Sequence, residues 1–231
     1  MIGTIARVTW KRIARGQALW VALGISLIPV IVAMVLRQAV HDPLDRLTFT
    51  MDLYVVEMFV LAIVPALFVA SSIGEEIEDR TITYLWSRPL PRWHVIAGKL
   101  VALAPIADVL VLVGWQLAMY VAYDRFPPLS TTLAIGLASI AVSFVAAGIG
   151  TLAPKHGMAL TIIYMLLFDV PVGEIPASLQ ILSITHQARL LAGISSRGVH
   201  ASAGLAPAIT LAVLAALWLA IGLWKIRRTE A

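Results

Sequence analysis

The chain contains no cysteine in its 231 residues. That excludes disulfides, iron–sulfur ligation and thiol catalysis, while saying nothing about compartment. Charge is also scarce: Asp, Glu, Lys and Arg make up 13% of the chain, against about 25% in a soluble domain. A phosphate-binding loop is missing too. The single Gly-Lys pair, Gly98-Lys99, has Trp93 where that loop needs glycine and Leu100 where it needs Ser or Thr. The five histidines (His41, His94, His156, His186 and His200) never stand three or four residues apart, so they form no helical zinc motif. The run from Gly193 to Arg197 begins like a nucleophile elbow but ends in arginine instead of glycine. Nothing argues for an enzyme: no catalytic residue, no metal site and no cofactor bound by this chain are expected.

What is present is apolar, at 60% of residues. Stretches 16–36, 58–74, 109–123, 126–154 and 198–224 contain no Asp, Glu, Lys or Arg. Several match the roughly 20 helical residues needed to cross a hydrocarbon core. The spacing predicts six spans near 18–40, 52–73, 96–123, 131–152, 158–170 and 204–224. They use about half the chain and leave no room for a soluble catalytic domain. The first stretch is too long for a signal-peptide core and lacks a small-x-small cleavage site, so it reads as a retained anchor.

Placing the amino terminus in the cytoplasm puts twelve of the 17 Lys and Arg residues on the inner side, as the positive-inside rule requires. Both termini are then cytoplasmic and the chain is integral to the plasma (inner) membrane. The formal net charge of +4 sits in short loops between spans, so a membrane partner is expected and a nucleic acid is not. Before the first span, Ile2, Ile5, Ala6, Thr9, Trp10 and Ile13 recur at helical spacing, opposite Arg7, Lys11 and Arg15. Residues 1–16 therefore read as an interfacial helix facing anionic headgroups, or as a solvated basic flank. The short fifth segment meets Pro171, Glu174 and Pro176. Residues 171–203 accordingly read as re-entrant or amphipathic outer-leaflet helices, or as a kink followed by a loop. Two small-residue stripes, Ala208, Ala212, Ala216 and Ala220 in span 6 and Ser139, Ser143 and Ala147 in span 4, read as internal packing faces. The fold class is all-α: one polytopic domain over 1–231.

The segment between spans 2 and 3 is the most informative. Glu75, Glu76, Glu78 and Asp79 leave span 2, and Arg80 and Thr81 follow. A helical-looking run then places Ile82, Leu85 and Trp86 on one side, with Tyr84 between them, before Pro89 and Pro91 end it. The order of acidic cluster, Arg80-Thr81, Leu-containing run, Ser87-Arg88-Pro89-Leu90-Pro91-Arg92 and Gly98-Lys99 resembles the loop of the type-2 ATP-binding-cassette exporter permeases. The topology of nearly the whole chain resembles that family as well.

The resemblance implies that 74–95 is a coupling loop, with 76–86 docked in a cleft of a separate cytosolic ATPase subunit and Arg88, Pro89, Arg92 and Lys99 bracing its return. It also implies a second permease subunit, the same or similar, with ATP and Mg held by the ATPase alone. The chain is short for that family and lacks a large outside domain between spans 1 and 2. Without the resemblance, the loop reads as a solvated segment with neutralising pairs.

Within the spans, Asp108 follows Pro105 by three residues and Gln116 lies two turns further on. A mid-membrane carboxylate costs at least ~2.5–3.5 kcal/mol on insertion scales, so Asp108 and Gln116 read either as translocation path or hinge, or as helix–helix hydrogen bonding. Glu57 and Asp169 are nearer the outer ends of their spans, where water is expected to reach them. Rival readings are a non-transporting membrane scaffold, and a secondary transporter or channel using Asp108. Because no phosphate-binding loop is present, the chain purified free of any ATPase subunit should hydrolyse no ATP; robust turnover in such a preparation refutes the permease reading.

Overall fold

The computed structural model describes residues 2–14, 16–39, 45–78, 93–175, 178–195, 198–199 and 204–228. Among the described residues, six helices are long and apolar enough to cross a membrane: Gln17–Gln38, Tyr54–Ile77, Trp93–Tyr123, Leu129–Leu152, Pro154–Glu174 and Ala206–Ile226. They are called spans 1 to 6. The protein is an all-α polytopic membrane protein. A two-residue β-ladder pairing Ile194 with Val199 and Ser195 with Gly198 is a local hairpin that does not alter that class.

Span 2 runs further than the charges suggest. It begins at Asp45, passes Pro65, widens into a π-helical turn over Ala66–Ala70, and continues as Ser71–Glu78. Span 5 behaves alike. Its π-helical turn, Tyr164–Asp169, leads into Val170–Glu174, so Pro171 does not end the helix as its lost donor would suggest. A wider turn accommodates the carbonyl that proline leaves without a donor. Beyond Glu174, a 3₁₀ turn at Ser178–Leu182 leads to an outer helix, Ile184–Ala192.

Span 4 is the hub. It packs on spans 2, 3, 5 and 6 and on the outer helix, and 78% of its apolar window is buried, against 28% for spans 1 and 5 and 22% for span 6. It carries no charge. Its hydroxyls turn back on its own backbone: Ser143 donates to the Ser139 carbonyl at 2.9 Å and Thr151 to that of Gly148 at 2.7 Å. Those two donors need no water in hydrocarbon, while Ser139 Oγ is buried without a hydrogen-bond partner among the described residues.

The two small-residue stripes fare differently. Ser139, Ser143 and Ala147 are buried, but Ala212, Ala216 and Ala220 face outward and Ala208 is half-buried. Span 6 instead packs through Leu211, Leu214, Ala215, Trp218 and Gly222. A β-carbon on Gly148 would stand 2.8 Å from the Trp218 carbonyl oxygen, and one on Gly222 2.9 Å from Thr151 Oγ1. The close approach is thus set by glycines facing bulk, not by an alanine row.

The amino-terminal helix, Ile2–Ala14, lies against span 3. Ile5, Ala6, Thr9 and Ile13 are half-buried, while Arg7, Lys11 and Arg12 are exposed. Trp10, expected on the apolar stripe, is 53% exposed. The face holding this helix and the ends of spans 2 and 4 is called basal. At the opposite, distal face Arg37 of span 1 clamps the end of span 3. It donates to the Val121 carbonyl at 2.6 Å and grips Asp124 bidentately at 3.0 and 2.7 Å.

At the basal face a β-carbon on Gly74 would collide with the Pro154 carbonyl. Gly74→Ala should therefore lower the thermal stability of the detergent-solubilised protein by about 1–3 kcal/mol, the usual cost of overpacking. Gly24→Ala, with open space around it, should instead hold or gain stability, by up to about 1 kcal/mol.

Candidate functional site

Two helix ends frame the segment 79–92, and one side chain joins them. Lys99 lies about two turns into the helix Trp93–Tyr123 and is 2% exposed. A buried ammonium is stable only if its three donors are all used. Lys99 Nζ donates to the Ser72 carbonyl, to Ser72 Oγ at 3.0 Å and to Glu76 Oε1 at 3.0 Å. The end of span 2 and the start of span 3 are thereby bound into one unit.

Glu75, on the next position of the same helix, faces the amino-terminal helix and pairs with Arg12 at 3.3 Å. That pair is exposed on both sides and contributes about 0–1 kcal/mol. Trp93 stacks on His94 at 3.9 Å between ring centroids as the chain enters span 3. Glu78 closes span 2. Asp79, Arg80, Thr81, Tyr84, Leu85, Trp86, Arg88, Pro89 and Arg92 lie outside the described residues.

Beside this root is a cavity of about 380 Å³, lined among others by Ser71, Glu75, Lys155, His156 and Met158. It exists because Gly74 lets span 2 ride directly on Pro154, wedging the turn between spans 4 and 5 against the root. Sequence reasoning missed it, because Glu75 and Lys155 stand eighty positions apart. The only local signal was the helix break at Pro154. An acid facing Lys155 and His156 gives the concave surface both signs of charge, suited to a polar protein partner.

Asp108 and Gln116 both face span 4, not each other. Asp108 is half-buried beside Ser139, and its Oδ1 stands 3.6 Å from where a β-carbon on Gly136 would be. Gln116 Nε2 donates to Thr132 Oγ1 at 3.0 Å. The pair therefore marks the seam between spans 3 and 4.

Glu57 and Asp169 are not reached by water as their positions suggested: they are 0% and 1% exposed. The outer helix explains Asp169. Its carboxylate accepts from the Ile184 and Thr185 amides at 2.8 and 2.9 Å and from Ser183 Oγ at 3.3 Å, at the positive end of the helix dipole. Arg189 of that helix pairs with Glu174. Burial, with Arg189 adding repulsion, holds His186 below the ordinary imidazole value.

A family model described as ABC-2 family transporter protein matches residues 9–173, well over half the chain. The match runs from the amino-terminal helix through span 5 and includes all of 74–95. No curated protein matches the chain.

The clamp makes a specific prediction. Lys99→Met strands the Ser72 and Glu76 acceptors and should cost about 2–3 kcal/mol of stability, the lower range for removing one side of a buried charged pair. Glu76→Gln, at a residue with a 25% exposed side chain, should cost less. Thermal unfolding in detergent reads both, and a Lys99→Met protein as stable as wild type would contradict the clamp.

Proposed function

The chain belongs to the ABC-2 family of transporter membrane proteins, and from that premise we propose that it is the permease subunit of an exporter driven by a separate ATP-binding-cassette ATPase. The basal face is cytoplasmic in this reading, both termini lie there, and the membrane is the plasma (inner) membrane. Two copies, or one copy and a similar permease, form the translocation path between them. ATP and Mg bind the ATPase.

The observation that carries the coupling reading is the Lys99 clamp. A helix docked in an ATPase cleft transmits force only if its two ends do not move separately. Here the basal ends of spans 2 and 3, which flank that segment, are joined through Lys99 to Ser72 and Glu76, so a push on 76–86 shifts both spans together. Arg88, Pro89 and Arg92 stiffen the return to span 3. Spans 2 and 3 both lie against span 4, so their movement works along the seam that holds Asp108 and Gln116. Asp108 lines the path or its hinge there, and Gln116 braces the seam through Thr132.

The test separates docked apolar anchors from exposed charges. Trp86→Ala should remove about 2 kcal/mol or more of ATPase affinity, as loss of a buried aromatic anchor does, with membrane insertion unchanged. It should read as poor co-purification, or as hydrolysis uncoupled from transport. Reversing Glu75 to Lys should cost about 0–1 kcal/mol. Normal ATPase binding and transport in a Leu85→Ala/Trp86→Ala double variant refutes the coupling assignment and leaves the scaffold reading ahead.

A further inference from the structure

Glu57 takes no part in the coupling route. It lies one turn beyond Tyr54 on span 2, is 0% exposed, and neither carboxyl oxygen has a hydrogen-bond partner among the described residues. Tyr54 Oη and Trp115 Nε1 are also buried without partners, and the two rings meet edge to face at 6.3 Å between centroids. An ionised carboxylate in such a place loses its hydration and receives nothing in exchange.

No described cation is bound to it. Of the spans packed on span 2, span 1 offers Arg37, which is engaged with Asp124. Span 3 offers Lys99, spent on Ser72 and Glu76, and Asp108, which has the same sign. Span 4 has no charged residue. Span 5 adds Lys155 and His156, which line the basal cavity, Asp169, bound to the outer helix, and Glu174, paired with Arg189. The charge of Arg189 reaches Tyr54, and its Nε is buried without a partner among the described residues. His186 stands on that outer helix, near Arg189 and Glu174. On span 2 itself, the side chains of Asp45, Arg46 and Asp52 lie outside the described residues.

We propose that Glu57 is an intramembrane proton-binding site, which carries its proton in the packed arrangement described here and releases it when water enters around span 2. Release is simple acid dissociation: the carboxyl O–H bond breaks, its electron pair stays on oxygen, and the proton passes to the entering water. The packed form then binds one proton more than the opened form. Rising pH favours opening, by about tenfold per pH unit over the range in which only the packed form keeps the proton. Glu57 sits on the span whose basal end leads into 79–92, so a stroke on that segment moves the helix that carries it. Only this last link rests on the coupling reading.

The full-length chain reconstituted in liposomes tests the site by infrared difference spectroscopy. The wild-type protein at neutral pH should show a carboxylic-acid C=O stretch, shifted by deuteration, that Glu57→Gln abolishes. Glu57→Met is the second variant, should the amide fold poorly. Thermal stability of the wild type should fall with alkalinity where both variants stay flat. Variants that keep the whole wild-type carboxylic-acid absorption, or that share its pH profile, overturn the proposal. These readouts need no ATPase, so a failed coupling test leaves them untouched.

Discussion

A buried ammonium has three protons to place, and the placement of those on Lys99 orders the basal half of the protein. Hydrocarbon offers no acceptor, so each proton must reach a protein oxygen. Ser72 and Glu76 supply all three contacts from a single turn of span 2. Spans 2 and 3 are then fixed in register, and other basal features depend on that register. Glu75 is turned toward Arg12 and the amino-terminal helix, while Gly74 is brought against Pro154. The cavity by Lys155 and His156 is the gap left beside that contact.

The hub obeys a second constraint. Lipid tails are as apolar as leucine, so helices associate through close packing instead of a hydrophobic drive. Span 4 meets its neighbours with Gly, Ala and Ser and returns the Ser143 and Thr151 hydroxyls to its own carbonyls. Spans 1, 5 and 6 are left with broad apolar faces, including Trp20, Leu167 and Ile209, each more than 60% exposed. Such faces suit lipid, and they suit the second permease subunit of the proposed assembly.

The distal half is closed by short-range electrostatics. Asp169 faces the amide end of the outer helix, and Ser183 caps the same end by accepting from the His186 amide. Gly193, at φ 73°, terminates that helix in the left-handed region. The result is a compact plug over spans whose outer ends would otherwise admit water. That covering satisfies Asp169, whereas Glu57 is buried with neither oxygen partnered among the described residues.

Local apolar length and one contiguous motif are enough to establish the number of spans, the all-α class and the resemblance that the family match bears out. The sequence also marked Lys99 and Glu76, although not as partners. Which face of each helix meets another is visible only in the folded chain. Ala212, Ala216 and Ala220 have the right spacing for packing yet turn outward, because Trp218 and Gly222 fit the glycines and threonine of span 4. Glu57 stands near the end of an apolar run, where sequence position suggests water, and is buried because chain from elsewhere in the sequence folds over it. Burial and partnership arise between residues distant in sequence, and no periodicity along one helix records them.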